Sequence, residues 1–541
     1  MIRTDIIRLY KSVHTWTGIV AGMALFIAFY AGALTLFKDQ VGQWAVPPAT
    51  AAGGTVPDRL PGLIQGVLRE RPQAGESFEI ALASTGGGMA RMRWNEPAPD
   101  GQGPPRSFAA TLGVDGIVRI APDPEGGLAQ LIYTLHAVVG LPVVNGFTLS
   151  VMGVVAVLYT LALVSGVIVL LPTLTRDFFA LRLGGNLKRM WLDAHNVTGI
   201  VSLPFHLVMA LTSVAFAFHD RIYDAQDWLI HGTPAAAVAP EPASGPAPAA
   251  ARDPAALQPP QELLALAQAL SATFVPQALD YHDVAGADAS VTVYGTDPAA
   301  LARQVAVTLD PYSGRVVQDD LTVPRGAAQT LVDSFFALHL GSFGGMLVRW
   351  MYFVLALAGA WLFYSGNLLW LETRRRRQRP GGERPVQRRD AQWLAAATVG
   401  VCLGCVAGLS LTIAAGKWLH GRVDDPGAWH AAIYYLVFAG ALCWAFWRGA
   451  ARAAVHLLWL AAAATAAIAA STLVLWLAPV PGPWAQAGPP AMPGVDGTAL
   501  AGALCLAAMA RATARRVWHL APGTGAPGQG APDSLWSAGG R

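Results

Sequence analysis

Charge and cysteine are both scarce in this chain of 541 residues. Charged residues make up only 13% of it and hydrophobic residues 54%, with a mean hydropathy of +0.41. This balance excludes an ordinary soluble protein and predicts an integral protein of the lipid bilayer. A formal net charge of +3 gives no reason to expect nucleic acid as a partner. The four cysteines all lie in apolar runs, so no disulfide framework is expected: Cys402, Cys405, Cys443 and Cys505.

Two cofactor-binding motifs are also missing. No Cys-x-x-Cys-His occurs, so any haem here must be held by coordination and packing rather than by covalent attachment. No Gly-x-Gly-x-x-Gly stands between a predicted strand and a helix, the context that signals a fused nicotinamide or flavin domain. If the protein handles electrons, their donor is a separate cytoplasmic or membrane component.

Eight apolar runs are long enough to cross a bilayer. The first is too long for the apolar part of a signal peptide and lacks a clear cleavage site, so we interpret it as an uncleaved span within residues 1–37. The eighth is short and lies in Pro/Gly-rich sequence, which leaves seven spans as the alternative. The runs are 13–37, 146–171, 195–218, 346–371, 393–415, 430–447, 453–478 and 497–513.

Basic residues concentrate in short segments between the runs and set the orientation by the positive-inside rule. They place both termini, the loop 172–194, the Arg-rich segment 372–392 and the tail 514–541 in the cytoplasm. The two long polar segments, 38–145 and 219–345, then face the periplasm, and we expect the protein in a bacterial inner membrane. The basic residues are Arg3, Arg8, Lys11, Arg176, Arg182, Lys188, Arg189 and Arg374 to Arg377.

Each exported segment is predicted to form a small α+β unit. In 38–145 a helical stretch near 60–70 precedes alternating runs and an Asp-Gly turn. In 219–345 a helical stretch near 263–270 precedes three runs that are typical of strands. The Ala/Pro-rich stretch 233–260 cannot bury a core and is predicted to be a disordered or extended linker.

A histidine motif occurs twice, each time where an apolar helix begins. His14-Thr15-Trp16-Thr17-Gly18 opens the first span, and His195-Asn196-Val197-Thr198-Gly199 opens the third. Ionisable side chains are costly inside a bilayer and usually mark function there. The two histidines therefore predict a shared ligand, for which haem iron is the best candidate. Small residues nearby would leave room for a flat macrocycle between helices: Gly18, Gly22, Gly32 and Gly199.

The first four spans form two copies of one plan, in which a second histidine precedes the inward helix. His136 precedes the second span and His339 precedes the fourth. Because both copies cross the membrane in the same sense, the repeat is parallel and its pseudo-axis lies along the membrane normal. His14 and His195 are thus predicted to meet near the cytoplasmic face, and His136 and His339 near the periplasmic face.

A fifth histidine leaves the outer pairing open. His206 follows His195 by 11 residues, which on one continuous helix puts both on the same face, about 16 Å apart. The first span has Leu25 at the matching position, so His206 could replace either His136 or His339 as a ligand. A haem with two imidazole ligands has no open position and favours one-electron transfer.

In order and spacing these motifs resemble the PepSY-associated transmembrane-helix family of bacterial inner-membrane proteins, which includes siderophore reductases regulated by iron supply. The resemblance covers about residues 1–375. The matching elements are His14-Thr15-Trp16-Thr17-Gly18, Asp193-Ala194-His195-Asn196-Val197-Thr198-Gly199, Leu203-Pro204-Phe205-His206, Leu135-His136 and Asp310-Pro311-Tyr312-Ser313-Gly314.

The expected fold is a mainly α, polytopic membrane protein with a four-helix haem-binding core of two parallel repeats. Two small PepSY-like periplasmic units and about four more membrane helices, within 393–513, complete it. The resemblance implies two b-type haems that carry electrons outward to a ferric siderophore or other Fe(III) chelate, releasing Fe(II). No general acid or nucleophile is required, so no catalytic side chain is predicted. The candidate iron ligands are His14, His136, His195, His206 and His339.

Two other functions remain as alternatives. In the first, the exported units bind peptides or proteins without catalysis, and the histidines are structural. In the second, the helices after residue 390 move the siderophore or iron inward, although these spans contain few charges and no evident polar pathway in the sequence. Haem in the purified protein would favour electron transfer over both.

Overall fold

The chain divides into two compact units, each built from separated stretches of sequence. The helical unit comprises Met1–Val46, Gly127–Phe218 and Trp350–Arg541, and the sheet unit comprises Pro47–Gly126 and His219–Arg349. The computed structural model describes residues 4–46, 55, 57–82, 90–97, 106–113, 115–122, 124–173, 187–231, 252–297, 304–319, 321, 326–374, 387–423, 425–478 and 493–518.

These residues form 14 helices and eight strands. The helices are α1 (Thr4–Thr35), α2 (Lys38–Trp44), α3 (Leu60–Glu70), α4 (Pro124–Ala137), α5 (Gly146–Leu170), α6 (Leu187–Val201), α7 (Leu203–His231), α8 (Pro260–Leu270), α9 (Ala327–Leu340), α10 (Gly345–Arg374), α11 (Arg389–Leu419), α12 (Pro426–Arg448), α13 (Ala450–Leu477) and α14 (Pro493–Trp518). The strands are β1 (Ser77–Leu82), β2 (Ala90–Glu96), β3 (Arg106–Leu112), β4 (Val118–Pro122), β5 (Val275–His282), β6 (Ser290–Thr296), β7 (Gln304–Leu309) and β8 (Val316–Asp319).

Seven of the described helices are long and apolar enough to cross a membrane, which confirms a mainly helical, polytopic membrane protein. The last of them is longer than the sequence suggests, because the run predicted at 497–513 belongs to a helix of 26 residues. The seven are α1, α5, α10, α11, α12, α13 and α14.

The third predicted span is broken rather than straight. Helices α6 and α7 are apolar enough to form one span together, but their axes differ by 70°. Pro204 follows the break and has no N–H to donate to the Ile200 carbonyl, while the Ser202 hydroxyl donates back to the Thr198 carbonyl. The prediction that His195 and His206 share one face of a continuous helix is therefore wrong.

Several predicted connections fall wholly or partly outside the described residues. These include most of the linker 233–260, the middle of the loop 172–194, the centre of the basic segment 372–392 and the tail 514–541 from residue 519 onward.

The sheet unit contains one antiparallel sheet in the order β4-β3-β2-β1-β5-β6-β7-β8. Each predicted α+β segment contributes a four-stranded meander, and the two meanders join through β1 and β5, where Phe78 stands opposite Tyr281. These two rings stack with centroids 4.6 Å apart. The structure thus merges the two predicted units into a single sheet across this seam.

One hydrophobic core fills the space between the sheet and helices α3 and α8. Alternate residues of strands β1 to β7 point toward the helices, as the period of two requires, and the helices supply apolar side chains at spacings of three and four. Burial of these side chains contributes roughly 25 cal/mol for each Å² of apolar surface. Core residues from the two copies include Leu63, Val67, Ile80, Trp94, Leu263, Ala267, Leu279 and Val293.

Glycines allow helix α11 to pack closely against α12. Gly400, Gly404 and Gly408 recur every four residues and so lie along one face of α11. A side chain at Gly404 would meet the Cβ atom of Ala441 at 3.0 Å, and one at Gly408 would meet the ring of Tyr434 at the same distance. This repeated small-residue motif is a common cause of close helix association in membranes.

A buried polar network links α2, α11, α13 and α14 in the helical unit. Lys417 is 4% exposed, donates from Nζ to the Thr472 hydroxyl, and lies 3.7 Å from the centroid of the Trp44 ring. The Thr472 hydroxyl and the Trp44 indole N–H both donate to one oxygen of Asp496, each at 2.9 Å. This network cannot be recognised in the sequence, because the residues that form it lie up to 452 positions apart.

The Asp310 carboxylate holds the turn between β7 and β8. It accepts N–H bonds from Tyr312 and Ser313, both at 2.9 Å, and a bond from the Arg252 guanidinium at 3.0 Å. Partial burial acts to raise the pKa of this carboxyl, but the donors outweigh it and lower the pKa to about 2. The ionised side chain therefore stabilises the folded turn.

We expect Asp310→Asn to speed hydrogen exchange in β7 and β8 roughly three- to tenfold at neutral pH, because a charge-assisted bond is lost. A lowered pKa contributes stability above the ordinary carboxyl range, near pH 4, and that stability disappears as the pH falls toward 2. The difference between variant and full-length wild type should therefore shrink over this interval. A difference that stays constant from pH 7 to pH 2.5 would contradict this role.

Candidate functional site

The first predicted histidine pair meets inside the helical unit. The rings of His14 on α1 and His195 on α6 have centroids 6.3 Å apart and planes inclined by 70°. Two imidazoles that bind one metal ion from opposite sides, each at a metal–nitrogen distance of about 2 Å, have ring centres roughly 6 Å apart. The spacing of the pair suits one ion between the rings.

Helix α5 fixes the ring of His14. Its Nδ1 donates to the carbonyl oxygen of Ala162 at 2.7 Å, and the ring lies against Gly166, where a Cβ atom would approach Cε1 to 2.9 Å. Because a carbonyl can only accept, Nδ1 carries the proton and Nε2 keeps its lone pair. This is the tautomer in which Nε2 can bind a metal.

Helix α10 fixes the ring of His195 in an equivalent way. Its Nδ1 lies 3.3 Å from the hydroxyl of Ser365, which itself donates to the Leu362 carbonyl at 3.0 Å. The hydroxyl has only one proton, so it accepts from Nδ1–H and again leaves Nε2 unprotonated. The ring lies against Gly366, where a Cβ atom would approach Cε1 to 3.2 Å.

The sequence around the contacts of these two rings repeats in α5 and α10. Ser165-Gly166 in α5 and Ser365-Gly366 in α10 stand 200 residues apart, as do Ala162 and Leu362. Helices α5 and α10 therefore supply matched positions to the two histidines. Sequence analysis did not single out these residues, although the repeated Ser-Gly pair was visible in both spans.

His136, in the last turn of α4, is anchored to α1. Its Nδ1 donates to the Ala28 carbonyl at 2.8 Å, and its ring lies against Gly32, where a Cβ atom would approach Nδ1 to 2.8 Å. Of the four glycines proposed to make room for a macrocycle, Gly32 touches a candidate histidine ring. The others do not, since Gly22 faces Asn367, Gly199 faces Leu362 and a Cβ at Gly18 meets nothing within 4 Å.

His206 on α7 is 1% exposed and packs in a cage of aromatic rings. Its Nδ1 lies 2.6 Å from the hydroxyl of Tyr159, and its ring centroid is 5.5 Å from that of Phe29. The ring lies against Gly359 of α10, where a Cβ atom would approach Cε1 to 3.0 Å. Its Nε2 is buried and has no hydrogen-bond partner among the described residues.

The structure brings His136 and His206 to the same turn of α1, since one contacts Ala28 and Gly32 and the other contacts Phe29. His339 lies on α9 of the sheet unit and is partly buried, and its ligand role stays a prediction. Within the described part of the chain, no group of three or more His, Cys, Asp or Glu residues is arranged to hold a metal ion.

Comparison with known proteins identifies the family. A model of the PepSY-associated TM region matches residues 11–373, about two thirds of the chain. The match includes all five candidate histidines and ends at the last turn of α10, so helices α11 to α14 lie beyond it. A search of curated proteins gives no match. The chain belongs to the PepSY-associated transmembrane family.

Proposed function

We propose that this protein carries electrons across a bacterial inner membrane and reduces a ferric siderophore or another Fe(III) chelate in the periplasm, releasing Fe(II). One observation carries the proposal. Four histidines of the helical unit each have Nδ1 hydrogen-bonded to a neighbouring element and the ring set against a glycine. This arrangement places the proton on Nδ1, the tautomer in which Nε2 of a histidine can be a ligand to haem iron.

The residues fit two b-type haems. The ring spacing of His14 and His195 suits a shared ion, which we assign to the inner site. At the outer site, an unpartnered buried nitrogen such as Nε2 of His206 costs roughly 1–3 kcal/mol, and bonding to a metal removes that cost. We assign His206 and His136 to the outer site, with His339 as the alternative partner.

The protein's own groups set the conditions for electron transfer. Two imidazoles at each site leave no coordination position for oxygen, and the carbonyls of Ala162 and Ala28 hold their histidines in the metal-binding tautomer. When bound, the haems supply reversible one-electron chemistry. His206 and His195 contact α10 at Gly359 and Gly366, seven residues apart, which is about 10 Å along the helix axis.

The remaining parts of the proposal concern the two ends of the path. The basic residues near the start of α1 and after α10 place the inner site toward the cytoplasm, where a separate cytoplasmic or membrane donor would deliver electrons. The sheet unit, which we place in the periplasm, would bind the chelate. No side chain is required as a general acid or nucleophile, because one electron reduces Fe(III) to Fe(II) and the released chelator takes up protons from water.

The function is tested by reduction across a membrane. Purified protein is inserted in vesicles loaded with dithionite, ferric citrate or a ferric hydroxamate is added outside, and Fe(II) is trapped by ferrozine. We expect Fe(II) to form at least ten times faster than with empty vesicles, and His195→Ala to lose most of this rate. The exposed His282→Ala provides a matched control that should keep it. Equal rates for His195→Ala and wild type would contradict the proposal.

A larger side chain at Gly366 should displace the ring of His195 and empty the inner site. We expect Gly366→Leu to bind one haem per chain instead of two, because even a Cβ atom there is 3.2 Å from the ring. Pyridine haemochrome analysis measures the loss. Gly440→Leu is the matched control, because a Cβ atom at Gly440 meets nothing within 4 Å. Gly440 lies in α12, outside the helices that we propose hold haem. Two haems retained by Gly366→Leu would show that the ring position is unimportant.

A further inference from the structure

The hydroxyl of Tyr159 stands at the point where the internal repeat loses its symmetry. The two copies differ there at two pairs of equivalent positions. The first copy has Leu25 where the second has His206, and it has Tyr159 where the second, 200 residues later, has Gly359. That offset is the one that relates Gly166 to Gly366. The tyrosine thus bonds the additional histidine, and the glycine at the equivalent position gives space to its ring.

The proton positions in this contact follow from the hydrogen bonds. The Tyr159 hydroxyl donates to the backbone carbonyl of His206 at 3.1 Å. Its single proton is then engaged, so at 2.6 Å its oxygen accepts the proton on Nδ1 of the same histidine. Two bonds to one residue fix both the tautomer and the direction of the ring, with Nε2 directed to a position where it has no partner among the described residues.

The buried, aromatic surroundings of Tyr159 and His206 strengthen the hydrogen bond between them. His206 is 1% exposed and Tyr159 is 3% exposed, so water does not compete for either group. The rings of Phe29 and Phe363 have centroids 5.6 and 5.8 Å from that of Tyr159 and leave it little freedom to turn. A hydrogen bond in such a low-dielectric setting is stronger than the same bond in water.

We infer that Tyr159 is a positioning residue for the outer haem. Its hydroxyl directs Nε2 of His206 to the iron and lowers the midpoint potential of that haem. The inference rests on the proposed function. An acceptor on Nδ1–H makes the imidazole a more basic ligand, and a more basic ligand stabilises ferric over ferrous iron. A lower potential at the outer site favours onward transfer to Fe(III) chelates, which are weak oxidants when the chelator is strong.

The test uses full-length protein in a His14→Ala background, so that one haem remains and its titration is unambiguous. We expect Tyr159→Phe to keep that haem and to shift its ferric–ferrous equilibrium three- to tenfold toward ferrous. For a one-electron couple this is a rise in potential of about 30–60 mV. Tyr352→Phe is the matched control, because Tyr352 packs edge-on against Phe205, with ring centroids 5.3 Å apart, and should leave the potential unchanged.

The outcomes separate this inference from the proposed function. Wild-type protein without haem would remove the proposed function itself. If haem is bound, an unchanged potential in Tyr159→Phe overturns the inference. In the wild-type background, a folded Tyr159→Phe that keeps the inner haem and loses the outer one supports it, since the ligand is then no longer held in place. His206→Ala should remove the outer haem in the wild-type background, and retention of both haems in that variant would also overturn the inference.

Discussion

The rest of the helical unit depends on one constraint, namely that a polar ring nitrogen inside a bilayer must be bonded or bear a large free-energy cost. Each of the four candidate histidines in the helical unit has two ring nitrogens. A neighbouring carbonyl or hydroxyl satisfies Nδ1 in all four rings of the helical unit. The second nitrogen of His206 is buried and has no partner in the part of the chain that the structure describes. Bonding of Nε2 to a cofactor, as proposed for haem, would remove this cost.

The internal repeat relates the contacts of the two histidines that meet inside the helical unit. The His14 ring is held by the Ala162 carbonyl and Gly166 of α5, and the His195 ring by Ser365 and Gly366 of α10. His206 departs from this symmetry, because its partner Tyr159 is matched in the second copy by Gly359. In the sheet unit the same duplication gives two meanders that join across β1 and β5 into one sheet. Beyond the repeat, the network around Lys417 ties the extra helices to α2, so they are part of the helical unit rather than a separate appendage.

Much of this organisation was readable from the sequence, because apolar runs and repeated motifs carry it. Most span positions followed from the apolar runs, and the equivalence of His14 and His195 followed from the repeated motif. The break at Ser202 was missed because hydropathy does not register a 70° bend. Tyr159 was missed because its role depends on a contact across 47 residues. Strand pairing between the exported segments was likewise invisible, since no local pattern specifies that Phe78 faces Tyr281.

The most direct test of the account is a count of haem in the detergent-purified protein, by a reduced-minus-oxidised visible spectrum with haem quantified per chain. The measurement is repeated for His14→Ala and His195→Ala. The account predicts two b-type haems in the wild type and one in each variant, with the same haem lost in both, because the two rings lie 6.3 Å apart and serve one ion. A colourless wild type, or two haems in either variant, would contradict it.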